Sequence, residues 1–195
     1  MGAAHMTGPT KNTRREVAIR DDGACVKCGV TVVDPLTMTP LKQYSIQHRA
    51  ARGMGGSRDP KINAAPNLIL LCGTGTTDCH GDVEQHREQG RRHGFAIASH
   101  EDPQLVPVLN WLHGAAFLSA SSGWWPVGTD YRGTDYLEHT AAERGVPADS
   151  AEYLRLASVI LDGLQRLNGP AALERGLDAE EAEVVENAWD REWGL

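Results

Sequence analysis

The spacing of apolar positions changes several times along the chain, and each change marks an element. Residues 13–22 (TRREVAIRDD) predict a short helix, with Thr13 as its cap, Glu16 at the capping-box position and Gly23 to stop it. Cys25 to Cys28 forms a knuckle, and Val30 to Val33 is a short β-branched run. The stretch from Leu41 to Gln47 predicts a strand with Tyr44 and Ile46 on one face. A long loop rich in Gly and Pro follows from Arg52 to Asn67, with three glycines inside GMGG. The run from Leu68 to Leu71 (LILL) is too short for periodicity to separate strand from helix. The polar stretch 80–93 predicts an exposed helix ending at Gly94.

Farther along, FAIAS, VPVL and GWWPV within 95–127 suggest short strands or extended coil. Gly128 to Gly133 reads as a boundary. Beyond it, apolar residues at 153, 154, 156, 157, 160, 161 and 164 make a helical stripe within Asp149 to Leu167, closed by Asn168-Gly169-Pro170. A last acidic helix is expected from Asp178 to about Trp193, with Glu181 at its capping-box position. Trp111, Trp124, Trp125, Trp189 and Trp193 read as core or interface residues, not as a stacking platform. The chain thus divides into a leader over 1–12 (MGAAHM reads as an added segment), a module over 13–127 and an all-α extension over 134–195.

Composition narrows the function classes. No run of 18 apolar residues exists, so no membrane span is expected, and no basic-then-apolar export start is evident. The net charge of −7 is unevenly distributed. Residues 1–98 hold 13 Lys and Arg against 9 Asp and Glu, whereas 99–195 hold 6 against 17. A basic first half beside an acidic second half points to a polyanion partner for the former.

All four cysteines, Cys25, Cys28, Cys72 and Cys79, lie in the basic half. With a cytoplasmic, reducing location expected, they argue for metal over disulfides. Cys25 and Cys28 sit on one turn, an arrangement that suits tetrahedral zinc. Cys72 and Cys79 have six residues between them, longer than usual, but the Gly-containing loop can fold back on itself. Buried free thiols are the alternative. In YSIQHRAARGMGG, His48 stands beside Arg49 and Arg52 and ahead of a Gly-rich loop; a histidine so placed can take a proton from water near neutral pH.

CVKC, IQHRAARGMGG, PNLILLC and CHGDVEQHR together resemble the HNH (ββα-metal) endonucleases, in particular phage-type members with CxxC zinc knuckles. The resemblance runs from about Arg14 to Arg92, is weaker to about Val127 and ends there. It implies an α+β fold, a ββα-metal core of two strands and a helix held by structural zinc on Cys25, Cys28, Cys72 and Cys79, here followed by the small helical extension. It implies hydrolysis of DNA phosphodiester bonds leaving 5′-phosphate and 3′-hydroxyl ends. His48 matches the general base, Asn67 the asparagine that orients it, and His80 a ligand of the catalytic divalent ion, Mg²⁺ or Mn²⁺. Arg49, Arg52 and Arg58 are the expected phosphate contacts. Phage-type relatives are often associated with genome packaging beside a terminase, which makes such a protein an expected partner.

The chain departs from the pattern at Gln47, where many members carry His or Asp as a second metal ligand. A glutamine oxygen binds a hard cation without contributing charge. Glu84 lies four residues after His80, on the same helix face, and is placed to supply that charge. The competing reading, favoured by Gln47, is a non-catalytic zinc-stabilised module that binds DNA or protein. A third places the function in the acidic helices.

Overall fold

The computed structural model describes residues 8–51, 59–121, 123–127 and 133–168. The start of the leader, Arg52, the GMGG run, Arg58, the 128–132 boundary and the expected helix from Asp178 to Trp193 lie outside the described residues.

The first helix, α1 (Lys11–Arg20), starts two residues earlier than its sequence suggests. Thr10, not Thr13, is the cap: its hydroxyl accepts the Thr13 N–H at 3.1 Å, and Thr13 itself lies inside the helix. β1 (Tyr44–His48) pairs antiparallel with β2 (Leu68–Cys72), with Gln47 opposite Ile69 and His48 opposite Leu68. Val30 to Val33 does not form a strand of its own; it contributes isolated bridges, Ala24 to Thr31 and Val33 to Pro40. Every residue of β2 is buried. The uninterrupted LILLC run is what a strand covered on both faces needs, with Val17 and Ala18 of α1 and Val83 of the next helix in the same core.

That next helix is interrupted. The stretch read as one helix over 80–93 is α2 (Asp78–Gln85) and α3 (Arg87–Arg92), with His86 between them at φ −111° and ψ 57°. Behind them, β3 (Val108–Asn110), β4 (Gly114–Ser119) and β5 (Gly123–Pro126) form an antiparallel meander. VPVL and GWWPV thus contribute strands; FAIAS gives only a parallel bridge from Ile97 to Ala50. β4, central in this sheet, is carried by GAAFLS, a segment whose pattern does not alternate.

Over the described residues, the helical extension comprises α4 (Gly133–Arg144) and α5 (Ala151–Asn168). Ser150 caps α5 by accepting the Tyr153 N–H. Leu156, Ile160 and Leu164 of the expected stripe are buried, while Leu154 turns outward and is 69% exposed. The two helices bury Phe117 of β4 and Leu105 in a core shared with Tyr136 and Leu137. The extension is therefore packed onto the sheet that closes the module. The described residues form a mixed α+β fold with two small antiparallel sheets. Among the described residues, no helix is long and apolar enough to cross a membrane.

Candidate functional site

The knuckle is built by the backbone. Gly29 N–H donates to Cys25 O and Cys25 N–H to Val30 O, which closes the turn, and Val26 N–H donates to Leu70 O, which docks it on β2. Gly29 has φ +77°, and a Cβ there would meet the Trp111 ring at 2.5 Å, so only glycine lets the indole lie over the knuckle. On the other side, Thr74 and Thr77 hydrogen-bond reciprocally, Thr74 N–H to Thr77 Oγ1 and Thr77 N–H to Thr74 O. That loop folds back from Cys72, at the end of β2, and delivers Cys79 in the first turn of α2.

As a result the four Sγ atoms lie within 4.8 Å of one another, with Cys28 and Cys72 at 3.8 Å. A disulfide needs about 2.05 Å. A tetrahedral ion with ligands at about 2.3 Å needs sulfurs about 3.8 Å apart. The four cysteines are thus positioned to bind a metal ion. Burial pushes Cys25 up to about 11 and also raises Cys79, where the charge of Cys25 and the other thiols add to it. Cys28 is lowered: burial opposes this, but the Val30 N–H and the three surrounding thiols outweigh it. Crowded thiols resist ionising together, and a bound cation removes that penalty.

Asn67, fully buried, grips the chain just beyond His48. Its Oδ1 accepts the Ala50 N–H at 2.7 Å, its Nδ2 donates to Ala50 O and Ile62 O, and its backbone oxygen accepts the Arg49 N–H. His48 Nε2 lies 2.9 Å from Asn63 Oδ1. Asn63 was not singled out by the sequence; only its place in a short 3-10 turn (Pro60–Asn63), four residues before Asn67, brings it to the histidine.

Gln47 and Glu84 meet directly, Nε2 donating to Oε1 at 3.1 Å, which ties β1 to α2. His80 lies one turn before Glu84. Its Nδ1 is buried and has no hydrogen-bond partner among the described residues. Burial lowers its pKa, against the charge of Glu84. Gln47 thus contacts the helix that carries both His80 and Glu84. Among the described residues, only the four cysteines form a metal-sized group of three or more His, Cys, Asp or Glu ligand atoms; His48, His80 and Glu84 do not form one. His86 is exposed and pairs with Asp82, which also holds Lys27 of the knuckle.

The arginines separate. Arg49, expected at a phosphate, is 1% exposed and points inward. All its nitrogens donate to carbonyl oxygens, so its guanidinium offers nothing to a ligand. Arg52 and Arg58 lie outside the described residues.

No family model, no curated protein and no solved structure matches this chain.

Proposed function

We propose that the chain is a divalent-metal-dependent DNA endonuclease of the HNH type, with a structural zinc on Cys25, Cys28, Cys72 and Cys79. The observation that carries this reading is the placement of Asn67: it holds both hydrogen-bonding groups of Ala50 directly behind His48, while β1 and α2 present Gln47, His80 and Glu84. A histidine whose loop is fixed by a buried amide is placed to act as a base.

The donor set suits a hard or borderline cation. His80 offers a buried, unpartnered imidazole nitrogen, Glu84 a carboxylate and Gln47 its Oε1, since Nε2 faces Glu84. An ion there would neutralise charge developing on the scissile phosphate. His48 takes the proton of the attacking water. With Nε2 donating to Asn63 Oδ1, the neutral ring carries its lone pair on Nδ1. Arg52 and Arg58 remain the proposed phosphate contacts, a terminase-like packaging protein the proposed partner.

Nicking of supercoiled plasmid with Mg²⁺ or Mn²⁺, against EDTA and against His48→Ala, tests the reading. Ion-dependent nicking lost in His48→Ala supports it. A zinc-loaded chain that cuts with neither ion leaves the second reading, a zinc-stabilised binding module, which the uncharged Gln47 favours.

A further inference from the structure

Arg49 follows the proposed base in sequence, and its environment is unusual for a cation. Nε donates to Gly94 O at 2.7 Å, Nη1 to Pro103 O at 2.7 Å and Pro66 O at 3.2 Å, and Nη2 to Val106 O at 2.6 Å and Pro107 O at 3.5 Å. No carboxylate pairs with it among the described residues. A guanidinium has five N–H donors in a rigid fork, and here all five are directed at backbone oxygens. Three stretches of chain, at 66, at 94 and at 103–107, meet on one side chain. Their convergence is tight: a Cβ at Gly94 (φ +71°) would stand 1.9 Å from Pro107 O, so the approach exists only because that residue is glycine.

The stretch that Arg49 gathers is also the one the helical extension grips. Tyr136 Oη donates to Gln104 O at 2.7 Å, Arg144 Nη2 to Asp102 Oδ2 at 3.2 Å, and Arg166 Nη2 lies 2.8 Å from Glu101 Oε1. Gly163 of α5 lies against Pro107. At the other end, the Arg49 main chain is fixed between Asn67 O, which accepts its N–H, and Ile97 N–H, which donates to its carbonyl. A continuous set of contacts thus runs from α4 and α5 through 101–107 to the residue beside His48.

We propose that Arg49 is a positioning residue for the base: its fork fixes the His48–Ala50 backbone against the 94–107 segment, so that the helical extension is part of the catalytic unit. This rests on the nuclease reading for its consequence in catalysis, and on the geometry alone for its consequence at His48. A lysine keeps the positive charge but has no fork, so it cannot hold three stretches at once.

The test is Arg49→Lys in the zinc-loaded full chain, with Tyr136→Phe as the distal variant. Tyr136→Phe keeps the ring stacked on Phe117, centroids 4.4 Å apart, and removes only the hydroxyl. Three experiments are made: nicking kinetics for kcat and KM, duplex affinity against salt, and the His48 ring signals by NMR. The expected result for Arg49→Lys is a kcat lower by roughly 10- to 100-fold, because displacements near 1 Å cost about that much, with KM and the salt slope unchanged and the His48 signals shifted. Tyr136→Phe should show a smaller loss of kcat of the same kind. Parental kcat in a folded Arg49→Lys overturns the proposal. So does a salt slope flattened by about 0.9, which makes Arg49 a phosphate contact. If Arg49→Lys does not fold, parental kcat in Tyr136→Phe overturns it. If the parent cuts nothing, the nuclease reading fails separately, and the His48 signals in Arg49→Lys decide: shifted signals support the positioning role and unshifted signals refute it.

Discussion

Gln47 Nε2 donates to Glu84 Oε1 across 3.1 Å, joining the penultimate residue of β1 to the last turn of α2. On the nuclease reading proposed above, the contact pairs the position where the chain departs from the HNH pattern with a carboxylate that would compensate. Glu84 also faces Arg87 at 3.8 Å, one turn on. On that reading, the charge missing from β1 would come from the helix, with Gln47 holding the carboxylate.

The two residues should be separable by metal titration. Glu84→Gln removes the charge and is expected to raise the Mn²⁺ needed for half-maximal nicking more than Gln47→Ala does. Gln47→Asp or Gln47→His should lower that requirement. Manganese should outperform magnesium, because the imidazole of His80 suits the softer ion. A Gln47→Ala titration that overlays the parent removes Gln47 from the ligand set, and an unchanged Glu84→Gln titration removes Glu84.

One zinc per chain is expected by elemental analysis. Removing one ligand, for example Cys72→Ser, should unfold the module, because ligand binding in small metal domains is folding free energy, about 10–16 kcal/mol apparent for zinc-finger peptides. Slow loss of helical circular dichroism on adding a strong chelator, reversed by zinc, checks this. A chain that keeps its melting temperature after complete zinc removal refutes it.

Acid should loosen the grip of the helical extension. Burial pushes Asp102 up, but Arg144, the Gln104 N–H and Lys61 hold it below its ordinary 3.8. In Glu101, burial is likewise outweighed, by the Ala98 N–H and by Arg166, and its pKa falls below 4.5. A carboxylate with a depressed folded-state pKa contributes stability above its unfolded value, lost as pH falls through the folded one. The melting-temperature gap between parent and Arg144→Gln should therefore be full near neutral pH and shrink as pH falls below about 4. The pair is partly exposed, so the gap corresponds to about 1 kcal/mol or less. A gap that is constant from pH 6 to pH 3 contradicts the assignment.

Local chemistry was the legible part of this sequence. Cys25 and Cys28 announce a knuckle by spacing alone, and the GTGTTD loop after Cys72 signals a turn that can return Cys79 to it. Leu68–Cys72 was ambiguous because a strand buried on both faces and a buried helical turn share one apolar pattern. The helix break at His86 left no mark, since all its neighbours are polar. Arg49 was misplaced for a related reason. An arginine beside a histidine and a glycine-rich loop suggests a phosphate site, and nothing within ten residues discloses that carbonyls at 94 and 103–107 will surround it. Burial of a cation is decided by distant parts of the chain.

His48 and Asn67 should fail in different ways when removed. His48 is bonded to Asn63 at the edge of the fold, and its removal leaves the Asn67 contacts to Ala50 in place. His48→Ala is expected to keep zinc, melting temperature and duplex affinity near parental values and to lose cleavage by about 10²- to 10⁴-fold, the usual contribution of a general base. Asn67 is fully buried and makes three side-chain hydrogen bonds to backbone. Asn67→Ala leaves those backbone groups without partners, at about 1–3 kcal/mol for each buried group, so it should lower the melting temperature as well as the rate. Asn67→Asp keeps the acceptor for Ala50 N–H but replaces the donor to Ala50 O and Ile62 O with a second acceptor, so it should be as destabilising as alanine or more so. Thermal unfolding and single-turnover cleavage on the same preparations separate the two roles. Equal cleavage by His48→Ala and the parent removes His48 as the base, and a parental melting temperature in Asn67→Ala removes Asn67 as the residue that holds its loop.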